Sequence, residues 1–113
     1  MKRELFRIMQ QEFNFLPEKF YCAGFTITVN VVDRIESNSY GNFCDATNII
    51  NIAKTVKTEE GTIEVTKRQM LNTFWHEVIH VWQFYFNNQY DEAQAQVFAN
   101  FMCEYESSKG LPF

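Results

Sequence analysis

The chain has 113 residues, 46% of them apolar and twelve of them Phe, with a formal net charge of −4. That length suits one domain with a single modest core, and the composition excludes a disordered chain. Its basic residues are scattered, densest at Lys54 with Lys57 and at Lys67 with Arg68, which is a poor footprint for direct nucleic-acid binding.

No apolar run approaches the roughly 18 residues needed to cross a bilayer, so no membrane association is expected. The start, MKRELFRIMQQEF, has no continuous apolar stretch and no small-residue cleavage pattern, so it does not read as a signal peptide. Cys22, Cys44 and Cys103 are odd in number, widely spaced and without a CxxC pair. They read as free thiols of a reducing compartment, and the expected location is the cytoplasm.

Residues 3–14 place Leu5, Ile8, Met9 and Phe13 at helical spacing, which predicts an N-terminal amphipathic helix ended by Pro17. GFTITVNVV alternates, with Phe25, Ile27, Val29 and Val31 on one face and Thr26, Thr28 and Asn30 on the other. That is a strand with one buried side. ESNSYGN reads as a loop, TNIINIAKTV as one strand near 47–56, TEEGT as a turn and TIEV as a short third strand. Thr66 followed by Gln69 is a capping-box pattern opening a helix over about 67–86. Asn87 and Asn88 are its expected terminators. Asp91 is placed to cap a last helix, 92 to about 107, with Ala95, Phe98, Ala99 and Met102 as its apolar stripe. The tail SSKGLPF reads as frayed. The whole predicts a single α+β domain over 1–113: an N-terminal helix, a small, mostly antiparallel sheet of three or four strands, then two helices.

The helix over 67–86 carries both histidines of the chain, in TFWHEVIHVW. His76 and His80 are four residues apart, so both rings leave one helix face and can converge on one ion. Glu77 is rotated off that direction and can reach a metal-activated water without binding the metal itself. This is the reason the chemistry uses H-E-x-x-H on a helix. Between Arg68 and Asp91 the only charged residue is Glu77. The helix has only a narrow polar strip (Thr73, His76, His80, Gln83, Asn87) and is expected to be largely buried. A lone buried carboxylate costs several kcal/mol unless something positive or hydrogen-bonding meets it.

A catalytic zinc normally takes three protein ligands and keeps one open position. With no third histidine, the candidates downstream are Asp91, Glu92, Cys103, Glu104 and Glu106. The stretch EAQAQVFA, Glu92 to Ala99, has the form E-x-x-A-x-x-F-A. With it the chain resembles the gluzincin (HExxH…E) zinc metallopeptidases, specifically their minimal phage and mobile-element members, including ImmA/IrrE-like proteins. The flanks of the first motif fit the longer zincin pattern too: Thr73 three before His76, uncharged residues at 74, 78, 79 and 81, and apolar Trp82. The resemblance covers roughly residues 45–105. It implies a zincin-like fold, zinc held by His76, His80 and Glu92, and Glu77 as general base.

Only eleven residues separate His80 from Glu92. A helix running to Phe86 and returning antiparallel would regain the level of His80 near residue 97, at about 1.5 Å per residue. Glu92 therefore needs an earlier helix end or a steep crossing, and Asp91 is the alternative third ligand. Zinc is expected for two His and one carboxylate, with iron, cobalt and manganese as other metals that fit.

In zincin-type enzymes the substrate lies as an extended strand along a sheet edge beside the motif helix. NIINIAKTV and TIEV are the candidate edges here. Tyr40, Tyr85 and Tyr90 are candidate donors to the oxyanion. The expected function is a metallopeptidase of narrow range acting on a protein or peptide. The rival expectation is a non-catalytic, zinc-stabilised protein-interaction module of a phage or mobile-element system. A metal-free interaction domain is the third.

Overall fold

The structure, a computed structural model, describes residues 15–110. The helix expected over 3–14 and the last three residues of the chain lie outside them. Six strands precede two helices: β1 Lys19–Cys22, β2 Phe25–Val32, β3 Gly41–Cys44, β4 Ile49–Ala53, β5 Thr55–Thr58, β6 Gly61–Glu64, α1 Lys67–Trp82 and α2 Glu92–Ser107. The fold is α+β, with a four-stranded sheet in the order β1-β2-β4-β3 and a two-stranded ribbon of β5 and β6. Every pairing is antiparallel except β2 with β4. Among the described residues, no helix is long and apolar enough to cross a membrane.

β2 follows its alternation: Ile27 and Val29 are buried, Thr26, Thr28 and Asn30 exposed. The expected single strand near 47–56 is two. β4 completes the sheet, and at Lys54 the chain leaves it for the ribbon, its amide donating to the Val32 carbonyl. Two short strands carry too little periodicity to be read from sequence. β1 pairs with β2 across a two-residue turn in which Ala23 and Gly24 both have positive φ, 52° and 83°, the twist that suits a tight hairpin. β3 begins inside the stretch expected to be a loop. It forms an edge of the sheet beside β4, so β4 is not the exposed edge.

α1 lies across one face of the sheet. Ile27, Val29, Ile50 and Ile52 pack there against Met70, Leu71, Phe74 and Val81. Burying side chains of this size is worth roughly 1.5–3 kcal/mol each. The helix starts where the cap predicts, with the Thr66 hydroxyl accepting from the Gln69 amide at 3.1 Å. The Gln69 side chain does not complete the capping box; it turns forward and donates to the Thr73 hydroxyl.

The end of α1 departs from a helix running to Phe86. Regular α-helix stops at Trp82, and Gln83–Asn87 form one wider π-helical turn. Asn88 then takes the left-handed conformation (φ 53°) expected of a terminator. Asp91 is extended and caps α2, its carboxylate accepting from the Gln94 amide at 3.0 Å. The face that α2 buries is Ala95, Ala99 and Cys103, not one that includes Phe98, which is 40% exposed. Small residues four apart let the two helices approach closely, and a Phe in that row would hold them apart.

Candidate metal centre

Three side chains meet between α1 and α2. His76 and His80 contribute their Nε2 atoms, 3.1 Å apart. The Glu92 carboxylate spans both, with Oε2 at 2.8 Å from His76 Nε2 and Oε1 at 3.0 Å from His80 Nε2. Among the described residues this is the group of His, Cys, Asp and Glu side chains whose ligand atoms all lie within 4.8 Å of one another. Asp91, the alternative third ligand, is occupied as the cap of α2. Cys103 is buried in the core, Glu106 pairs with Lys109, and neither these nor Glu104 joins the group.

Glu92 reaches His80 because the connection, not the helix, carries the chain back. With regular helix ending at Trp82 and the reversal at Asn88, the residues up to extended Asp91 run back toward the site. An extended residue advances more than twice as far as a helical one. The two helices then run in register: Asn72 donates to Asn100 at 3.0 Å, His76 meets Gln96 and His80 meets Glu92. Each step of four residues along α1 is matched by four in reverse along α2.

Two glutamines set the state of the imidazoles. Gln83 is fully buried, at 0% exposure. Its Nε2 donates to the Asp91 carbonyl at 3.0 Å and to Gln94 Oε1 at 2.7 Å, while its Oε1 accepts from the Asp91 amide at 3.1 Å. The backbone of Asp91 thus fixes which end of the amide is oxygen, and that oxygen lies 2.8 Å from His80 Nδ1. Gln96 Oε1 lies 3.0 Å from His76 Nδ1, with its Nε2 donating to Asn72 and Asn100. An amide oxygen only accepts, so each Nδ1 carries a proton and each Nε2 is the atom turned toward the other ring and the carboxylate. The two Nε2 atoms and the Glu92 carboxylate face one another across about 3 Å. A proton or a metal cation among them satisfies such a group of electron-rich atoms. Ligand arms of about 2.0–2.1 Å in tetrahedral array would stand roughly 3.3 Å apart, close to the observed spacings. These residues fit a divalent metal such as zinc. Glu92, with its side chain 77% exposed, leaves that side open to solvent.

Glu77 stands beside this group. It is 7% exposed and, among the described residues, neither donates nor accepts a hydrogen bond. Burial drives its carboxyl upward; His80 opposes this and Glu92 adds to it, leaving it at about 7. Gly41 of edge strand β3 explains how sheet and helix come together here. A Cβ at that position would collide with the Thr73 methyl, and would stand 3.0 Å from the Asn51 carbonyl oxygen and 3.5 Å from Glu77 Cγ.

Of the three candidate tyrosines, Tyr90 is the one packed on a histidine of this group. Its ring meets His80 edge-on at 5.3 Å between centroids and lies flat against Phe84. Its hydroxyl donates to Asp45 Oδ2 at 2.9 Å. Loss of solvent, the bond to Asp45 and the nearby negative charges push the phenol up to about 12, so it remains a donor. Tyr85 instead donates to Asn48, and Tyr40 is 46% exposed on the loop before β3.

Comparison with protein-family models, with curated proteins and with solved structures gave no match. The geometry therefore stands on its own residues. Gln83, Gln96 and Gly41 were not singled out as site residues by sequence reasoning. Two signals were available: Gln83 lies on the polar strip three residues after His80, and Gln96 lies four after Glu92.

Proposed function

We propose that this chain is a zinc-dependent metallopeptidase of zincin-like type. His76, His80 and Glu92 hold the ion, and Glu77 is the general base that moves the proton. The observation that carries the reading is the convergence of two imidazole Nε2 atoms with a carboxylate, each ring held by a glutamine on its far side. Zinc held there would supply Lewis acidity, acidifying water and polarising a carbonyl.

The protein's own groups account for the rest. Glu77, buried next to His76 and close enough to His80 for their charges to interact, is the carboxylate that takes a proton from water and returns it to a leaving amine. Edge strand β3, brought against α1 by Gly41, offers free backbone groups to an extended peptide. A purely structural metal would have no use for a buried carboxylate at position 77, which favours the enzyme over a zinc-stapled interaction module. The resemblance of HExxH and EAQAQVFA to minimal gluzincins points the same way.

The test is Glu77→Gln in the zinc-loaded full chain, assayed on a peptide library by mass spectrometry. Zinc content should equal that of the wild type, and cleavage should fall at least about a hundredfold. Retained turnover would remove Glu77 from the mechanism.

A further inference from the structure

We infer that residues 1–14 dock in a groove along α1, with their apolar stripe against Leu71, Trp75 and Val78 and the Glu12 carboxylate accepting from the Trp75 indole. The docking face is the one turned away from the two histidines, and the inference does not depend on the hydrolase reading.

α1 needs cover on a third side. The sheet takes Met70, Phe74 and Val81, and α2 meets Asn72, His76 and His80. Leu71, Trp75, Val78 and Trp82 form a third row, at spacings of four, three and four residues. A helix that is apolar all round is a buried helix, yet Trp75 and Val78 are only half-buried and Trp82 is 41% exposed. A groove of about 330 Å³ lies beside this row. It is lined by Leu71, Trp75 and Val78 of α1, by Phe15 and Phe20 from the start of the described chain, and by Glu106 of α2.

The occupant is already attached. Phe15 lines the groove, and a single residue, Asn14, separates it from Phe13. Leu5, Ile8, Met9, Glu12 and Phe13 stand at the spacing of one helical face. At about 1.5 Å per residue, Leu5 to Phe13 spans about 12 Å and Leu71 to Val78 about 10 Å, so stripe and row match in length. A tethered segment meets the groove at a roughly millimolar effective concentration, an advantage over any free partner.

The polar groups match as well. Trp75 Nε1 is buried without a hydrogen-bond partner among the described residues, and a buried donor seeks an acceptor. Glu106, in the same groove, is directed to Lys109 at 3.7 Å and does not take this hydrogen. Glu12 is the one polar residue on the stripe of 5, 8, 9, 12 and 13. Its carboxylate supplies the acceptor, and a charged acceptor makes the stronger hydrogen bond.

The experiment uses the full chain. With benzoylphenylalanine in place of Met9, irradiation should cross-link position 9 to residues 71–78 within one chain, located by peptide mass spectrometry. Absence of that link overturns the docking. A link found only in a covalent dimer assigns the groove to a second copy and overturns it too. The Trp75 indole proton, assigned in the NMR spectrum by its persistence in Trp82→Phe, reads the pairing. Glu12→Leu extends the apolar stripe, so the segment stays docked while the indole proton shifts upfield. Glu12→Gln keeps an acceptor and should leave that proton near its wild-type position. An indole proton unmoved by Glu12→Leu, or moved equally by both variants, overturns the pairing.

Discussion

Gln83 does two jobs with one amide. It presents an oxygen to His80 Nδ1 and ties the start of α2 to the end of α1 through both backbone groups of Asp91. Replacing it with Leu would keep the volume but leave the buried His80 imidazole N–H and the Asp91 amide without this partner. We expect about 2–4 kcal/mol of lost stability and a 10- to 100-fold weaker zinc affinity, measured by denaturant unfolding and by competition with a chromophoric chelator. Unchanged zinc affinity would show that the ring needs no outer partner. The contrast with Glu77 is instructive at the same scale. Gln83 is satisfied on every side, whereas Glu77 makes no hydrogen bond among the described residues. The approach of His76 to His80 was legible in sequence because it needs only helical spacing. Gln83 and Gln96 were not, because their role depends on a register between two helices that no local pattern encodes.

At the scale of elements, the geometry depends on two close approaches. Gly41 lets β3 lie against α1 at Thr73 and Glu77. Gly41→Ala forces that strand or helix to move, and should cost about 1–3 kcal/mol while lowering peptide turnover more than zinc affinity; an unaltered melting curve would contradict the contact. Ala99, fully buried between α1 and α2, is the second. Ala99→Leu should overpack the seam by a similar amount and pull Glu92 from the histidines, seen as weakened zinc binding. β2 and both helix starts could be read from alternation and capping. β1 and β3 could not, being four residues each, too short to show a periodicity of their own. The apparent misplacement of Glu92 came from assuming that helix runs to Phe86. The π-helical turn and the run back to Asp91 are set by Gln83 and Asn88 together, a tertiary effect.

For the whole molecule, the His76–His80–Glu92 group joins two helices that otherwise meet through small side chains and polar pairs. A ligand that binds only the folded state at a thousand times its Kd adds about 4 kcal/mol. Stripping zinc with a chelator should therefore lower the melting temperature by at least about 10 °C for a domain of this size, and Glu92→Ala should melt alike with and without zinc. The most direct measurement is the zinc-edge X-ray absorption spectrum of the loaded full chain. It should show two imidazole nitrogens and carboxylate oxygen at about 2.0–2.2 Å with no sulfur. A sulfur shell near 2.3 Å, or a single imidazole, would contradict the centre described here.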